Sequence, residues 1–329
     1  MKLTNQTILL TGGTGSFGKA FIAKALSDKS FRGVIRIFSR DEFKQYELAR
    51  IYNDDKRLRF FIGDVRDADR LKRAIYGADY VIHAAALKQV PILEYNPYEA
   101  VKTNILGSQN VIDASIDLGV RKALLISSDK AVSPLNLYGA TKMVAEKLFV
   151  QGNVYAGATK TKLSVVRYGN VVGSRGSVIP MFFAQKNENR LTITDMKMTR
   201  FWITLEQGVD FVLSCLDKMS GGEIFVPKIP SVKIIDLAKA IAPKAKVEVI
   251  GIRPGEKIHE VLISNEESRN TKDMGNNFAI IHWSPEESLI RKKSLKSFSY
   301  TSDNNDQWLS VDQISELVKG YISSSSRIK

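Results

Sequence analysis

Residues 11–18 read Thr11-Gly12-Gly13-Thr14-Gly15-Ser16-Phe17-Gly18. Gly12, Gly15 and Gly18 are spaced three apart, and Gly13-x-Gly15-x-x-Gly18 also satisfies the G-x-G-x-x-G pattern. The stretch follows a short apolar run at 7–10 and opens a helix-like pattern, the context in which this motif has meaning. Glycines there let the backbone approach a pyrophosphate, and the N-terminus of the next helix offers unpaired N–H groups and a positive dipole end. Outward from this turn, short β-rich runs at 7–10, 34–38, 58–62, 80–83, 123–126 and 163–167 alternate with stretches long enough for crossover helices. Most of these runs lack polar/apolar alternation, as strands covered on both faces do. The pattern predicts an α/β, Rossmann-like doubly wound parallel sheet over residues 1–170. After 170, Gly, Pro and polar residues become more frequent. Residues 171–329 are expected to form mainly a smaller C-terminal substrate-binding lobe, with some later segments returning to the first domain.

The gross numbers fit that reading. The chain has 329 residues, 44% hydrophobic and 25% charged, as in an ordinary soluble globule. A single cysteine rules out an intramolecular disulfide and suits a reducing compartment. The histidines, His83, His259 and His282, are far apart, so no metal site is expected. No apolar run approaches the ~20 residues of a membrane helix, and the first apolar run passes straight into the glycine turn. A cytoplasmic protein without membrane attachment is expected. The net charge of +13 reads as solvated lysine-rich faces in preference to attraction for an acidic ligand. No basic run is interleaved with aromatics, so nucleic acid is not an expected partner. The tail at 323–326 and the Arg-Ile-Lys after it read as frayed.

The second strand is followed by Ser39-Arg40-Asp41. Sites selective for NAD place an acid at this strand end to bind the ribose 2′-OH. Here Ser39 and Arg40 stand there, and a guanidinium suits a 2′-phosphate, which predicts NADP. Asp64 and Val65, after the third strand, are expected near the adenine. Ala84, Ala85 and Ala86, after the fourth, are small enough to let the cofactor pass. Together with Gly12, Thr14, Gly15, Ser16, Phe17, Gly18 and Val171 these form the expected cofactor site. His83 reads as core. Met181-Phe182-Phe183 and Phe201-Trp202 read as packing in preference to base stacking.

Residues 127–142 read Ser-Ser-Asp-Lys-Ala-Val-Ser-Pro-Leu-Asn-Leu-Tyr-Gly-Ala-Thr-Lys. Tyr138 and Lys142 are four apart, on one face of a helix. A phenol titrates near 10 in water. A neighbouring ammonium and a nicotinamide ring would favour the phenolate and make it a base for a sugar hydroxyl. Ser128-Asp129-Lys130 fall at the carboxyl end of the fifth strand, where ligands of such sheets bind. Simple reductases need only the hydroxyl there. The added acid and amine suit a reaction that requires a further proton donor and acceptor.

These motifs resemble the extended short-chain dehydrogenase/reductases. Ser39-Arg-Asp-Glu42, Gly63-Asp-Val-Arg-Asp67, His83-Ala-Ala-Ala-Leu-Lys88, Asn136-Leu-Tyr-Gly-Ala-Thr-Lys142, Arg167-Tyr-Gly-Asn-Val-Val-Gly-Ser-Arg-Gly-Ser177, Met198-Thr-Arg-Phe-Trp202 and Arg253-Pro-Gly-Glu-Lys257 resemble one group within them. That group is the soluble inverting UDP-N-acetylglucosamine 4,6-dehydratases of pseudaminic acid synthesis. Ser128 stands where that group usually has Thr, and residues 266–300 resemble nothing placed. The resemblance implies UDP-N-acetylglucosamine as substrate, NADP as cofactor and a homo-oligomer. It implies that Tyr138 takes the O4 proton, Asp129, if protonated, donates to the departing O6, and Lys130, if neutral, removes the C5 hydrogen. Asn170 would hold the sugar phosphate. Arg253 would grip the pyrophosphate, with Lys88, Thr194 and Arg200 as further substrate contacts. A UDP-sugar 4-epimerase shares the fold and the Tyr138/Lys142 pair but has no need of Asp129 and Lys130. A non-catalytic NADP-binding module would need none of the four.

Overall fold

The structure, a computed structural model, describes residues 3–173, 178–281 and 297–325. All six predicted strands form, each within a residue of its expected limits: β1 (Thr7–Thr11), β2 (Val34–Ser39), β3 (Leu58–Ile62), β4 (Tyr80–His83), β5 (Lys122–Ile126) and β6 (Lys162–Val166). Three later strands, β7 (Glu223–Pro227), β8 (Thr271–Asp273) and β9 (Asn277–Ile281), join the same sheet. The nine strands lie in the order β8-β9-β7-β6-β5-β4-β1-β2-β3. From β3 to β7 every pair is parallel, and β9 and β8 close the edge antiparallel. This is the doubly wound architecture expected, and the chain order reverses between β1 and β4.

Burial explains the missing alternation. Ile8, Leu9 and Leu10 of β1, and Val81 and Ile82 of β4, are shut off from solvent on both faces. Helices cover the two sides, among them Ser16–Ser27 after the glycine turn and Leu137–Ala156, which carries Tyr138 and Lys142. A second, separate core joins Phe182, Trp202, Leu237 and Ile314. It is built by the helices Val178–Lys186, Ile234–Ile241 and Val311–Ser325 and the strand Thr199–Ile203.

Arg167, immediately after β6, is almost wholly buried and bonds to both Glu146 and Glu267. Its Nη1 also donates to the Leu262 carbonyl at 2.9 Å. A buried guanidinium survives only when paired and fully hydrogen-bonded. Here the pairing ties the Tyr138 helix to the C-terminal segment. The described part of 266–300 builds β8, β9 and the strand Tyr300–Thr301, so it completes the sheet edge. Ser174, Arg175, Gly176 and Ser177 of the quoted motif, His282 and the rest of 282–296, and the end of the tail (Ser326, Arg327, Ile328, Lys329) lie outside the described residues.

Candidate active site

Because the chain order reverses between β1 and β4, the loops leaving those strands part and open a crevice at the carboxyl edge. A cleft of about 720 Å³ occupies it, floored by Gly12, Thr14, Gly15, Ser16 and Phe17. Gly12 has φ +67°, and a β-carbon there would come 2.9 Å from the Ala85 nitrogen; only glycine lets the two loops meet. Gly15 starts the Ser16–Ser27 helix without a side-chain cap, leaving first-turn N–H groups for an anion. Gly18 does not reach the cleft wall. It packs on Gly13 instead, and any side chain at 18 would collide with the Gly13 carbonyl.

The far wall holds Ser39, Arg40, Lys44, Asp64 and Val65. Ser39 Oγ accepts from Gln45 Nε2 at 2.9 Å. Burial opposes charge on Asp64, but Arg66, with Arg40 at 3.7 Å, outweighs it and keeps the carboxyl below its usual range. Asp64 is thus already matched by cations. Lys44, not singled out in the sequence, stands beside Arg40 and pairs with Asp41. The cradle has room for the pyrophosphate and cations for a phosphorylated ribose, so its residues fit a nicotinamide dinucleotide.

Ala84, Ala85 and Ala86 line the middle of the cleft. Behind them His83 is buried, and burial pushes its imidazole down to about 3. Thr11 Oγ1 accepts from the Ala84 and Ala85 amides and bonds His83 Nδ1 at 2.7 Å, while His83 Nε2 bonds Ser108 Oγ. The neutral ring is therefore core, as read, and braces the loop. Phe182 and Phe201 are fully buried and Trp202 nearly so, which is packing.

The residues expected to be catalytic, Asp129, Lys130, Tyr138 and Lys142, all line this cleft. Asn136 caps the Leu137–Ala156 helix by accepting from Gly139 N at 2.8 Å, and its Nδ2 donates to the Gly255 carbonyl at 2.8 Å. One side chain thereby starts the Tyr138 helix and docks the C-terminal loop on it. Lys142 Nζ donates to the Ile126 carbonyl at 2.6 Å. Burial lowers Lys142 to about 8, opposed by Glu146. Burial also raises Tyr138 above its ordinary value; the groups that draw it back are Lys130 and a hydrogen bond with Ser128. Lys130 is thus a cation near the phenol that the sequence reading did not pair with Tyr138.

Lys130 departs further from expectation. Its Nζ lies 3.1 Å from Asp129 Oδ1 and 3.3 Å from Glu260 Oε1. Burial works against the charge, yet the two carboxylates overcome it and hold Lys130 above the ordinary lysine range. The neutral amine expected of a base is not the resting form. Asp129 is raised, by burial first, against the pull of Lys130, the direction a proton donor needs.

A second cleft, about 540 Å³, opens from this junction toward the smaller lobe. Lys130, Asn170 and Val171 line both. Thr194, Arg200 and Arg253 line only the second, and Lys88 only the first. Arg253 is exposed at the rim. Arg200 is buried, donating to the Thr199 and Ile258 carbonyls. Thr194 Oγ1 donates to Glu256 at 3.3 Å. Asn170 Oδ1, Asp129 Oδ2 and Glu260 Oε2 are buried without a hydrogen-bond partner among the described residues, and unsatisfied acceptors in a cleft invite donors from a ligand. Glu260 was not singled out because it lies past the motif residue Lys257, in irregular chain just before the strand Val261–Ile263, where no local pattern marks it.

Among the described residues no group of acids, cysteines and histidines could hold a metal, and no helix is long and apolar enough to cross a membrane. The chain matches the polysaccharide biosynthesis protein family over residues 8–282. It is 51% identical to a UDP-N-acetylglucosamine 4,6-dehydratase (inverting) of Campylobacter jejuni, over 95% of this chain and 97% of that protein. It is 42% identical to a UDP-glucose 4-epimerase of Rickettsia bellii, over 95% of each. The solved structure of Pen from Bacillus thuringiensis superposes with a TM-score of 0.88 at 38% identity, covering 98% of this chain and 99% of that one. A dTDP-glucose 4,6-dehydratase from Streptomyces venezuelae, solved with NAD, shares the fold at 19% identity and a TM-score of 0.71. With a nicotinamide-type cradle, a Tyr138/Lys142 helix and relatives matched end to end, the chain belongs to the polysaccharide biosynthesis protein family, on the extended short-chain dehydrogenase/reductase fold.

Proposed function

We propose that this protein is an inverting UDP-N-acetylglucosamine 4,6-dehydratase that works with NADP. One observation carries the reading: Asp129, Lys130 and Tyr138 converge where the cofactor-shaped cleft meets the second cleft. Similarity to the Campylobacter dehydratase over nearly the full length supports it. Arg40 and Lys44 on the wall beside Ser39, with the neighbouring Asp41 and Asp64 each paired to a cation, support NADP over NAD.

In this mechanism the second cleft seats the UDP-sugar, with Arg253 at its mouth and Thr194, Arg200 and Asn170 deeper. Lys88 contacts the sugar from the first cleft. A dinucleotide held by Gly12, Thr14, Gly15, Ser16, Phe17 and Arg40 would supply a hydride acceptor for C4 and a hydride donor for C6. Tyr138 receives the O4 proton, and its proximity to Lys130 lowers the cost of the phenolate. The 4-ketone acidifies the C5 hydrogen. Lys130, having released its own proton to water, removes it; Asp129 protonates the departing O6 so that water leaves, and C5 takes up a proton from solvent. Residues 1–170 mainly hold the cofactor and 171–329 mainly the substrate. The active species is taken to be a homo-oligomer, and a single, buried cysteine, Cys215, suits the reducing cytoplasm.

The Rickettsia relatives support an epimerase as the second reading. Both reactions begin with Tyr138 at O4, but only dehydration needs an acid for O6, and Asp129 is the acid present. Incubating the protein with UDP-N-acetylglucosamine in D2O and following proton NMR separates them. A C6 methyl signal, deuterium at C5 and an L-arabino coupling pattern are expected. A 4-epimer that keeps its C6 oxygen would establish the epimerase instead.

A further inference from the structure

Glu260 closes the catalytic cluster from the side of the smaller lobe. Its backbone N–H donates to Ser302 Oγ at 2.9 Å, and Ser302 Oγ is hydrogen-bonded to Thr199 Oγ1 at 2.6 Å. Its carboxylate is buried, 3% exposed. Oε1 faces Lys130 Nζ at 3.3 Å and Arg200 Nε at 3.5 Å. Oε2 has no hydrogen-bond partner among the described residues. A single, partly exposed ammonium thus spans two buried carboxylates, one on its own turn and one brought from 130 residues away.

Resting on the dehydratase reading, we infer that Glu260 is a positioning residue that acts through Lys130, anchoring its amine at the junction of the two clefts and controlling its proton. The groups facing Lys130 are Asp129 on its own turn, Tyr138 on the helix, Arg200 on the strand Thr199–Ile203, and Lys257 and Glu260 on the C-terminal segment. Burial opposes ionisation of both carboxylates. Glu260 is nonetheless held below the usual range by Lys130, Arg200 and Lys257, while Asp129 stays raised. The two acids therefore divide the work: Asp129 is the one suited to carry a proton, and Glu260 remains the anion that retains the ammonium. Removing the Glu260 charge leaves Lys130 between one carboxylate and the opposing Arg200, so it sheds its proton at lower pH.

The test is the pH dependence of dehydratase kcat in Glu260→Gln and Glu260→Asp. Since Lys130 must lose a proton to take the C5 hydrogen, kcat climbs with pH. In Glu260→Gln the climb should begin about 1 to 2 pH units lower, with KM little changed. Glu260→Asp, which withdraws the carboxylate by one methylene, should give a smaller shift the same way and decides the matter if the Gln variant does not fold. A profile that keeps its position in the folded variants, with kcat only scaled down, overturns the role, because a purely structural residue does just that. If the unaltered protein forms no C6 methyl product, the dehydratase reading falls and this role with it; an active protein with an unmoved profile removes only the role.

Discussion

The backbone carbonyl of Lys130 and the Cα of Gly139 lie so close that a β-carbon at 139 has no room beside the carbonyl oxygen. The contact seats the first turn of the Leu137–Ala156 helix directly on the Asp129–Lys130 turn. It therefore sets the separation between Tyr138 and the acid–amine pair.

Gly139→Ala should force these two segments apart. Overpacking of this kind costs about 1–3 kcal/mol, and a displacement near 1 Å at reacting groups can cost roughly a hundredfold in rate. The expected result is a lower Tm together with kcat reduced at least about tenfold. Gly208→Ala is the control, since a β-carbon there meets nothing within 4 Å; it should leave kcat unchanged. Equal turnover in both variants would show that the contact does not govern the site.

Arg40 bears on cofactor choice. A charge-assisted hydrogen bond contributes about 1.5–3 kcal/mol, and 1.4 kcal/mol is tenfold in affinity. Arg40→Ala should weaken NADP binding by roughly 10- to 100-fold while leaving NAD binding nearly unchanged. Isothermal titration with both dinucleotides measures this. Parallel loss of both would mean that Arg40 does not read the 2′-phosphate.

His83 supplies a pH dependence of stability. Its imidazole titrates near 6.5 when unfolded and is pushed down to about 3 by burial, with Lys142 adding to the effect. Between those values the unfolded chain binds a proton that the folded chain does not. Stability therefore rises with pH across the window and is lost as pH falls through it, by about 1.4 kcal/mol per pH unit from this group. Urea unfolding at several pH values should show that this slope is shallower by one proton in His83→Gln. Identical slopes would mean that His83 is protonated in the fold.

The parts of the molecule legible in the sequence are those whose cause is local. β1, β4 and β5 were readable as apolar runs because a doubly covered strand needs no partner to declare itself, whereas the partly exposed edge strand β3 was readable only from its β-rich residues. The extra strands β7, β8 and β9 were not, since their place in the sheet depends on a chain that leaves for the second lobe and returns. The cofactor cradle was legible because glycines at 12 and 15 answer a backbone requirement. Gly18 belongs to the same motif, yet it serves the packing of the turn and does not face the cleft. Lys44 escaped notice because a lysine on an exposed helix carries no pattern of its own.

The sequence by itself determined the fold class, the dinucleotide turn and the pairing of Tyr138 with Lys142, because turn chemistry and helical spacing act over a few residues. Only the tertiary structure decided the charge states. Lys142 is depressed because the sheet and helix bury it, and Lys130 is held as an ammonium because Asp129 beside it and Glu260, brought from 130 residues away, both face it. Coulomb energy and desolvation depend on distance and burial, and those are set by segments that meet only when the chain has folded.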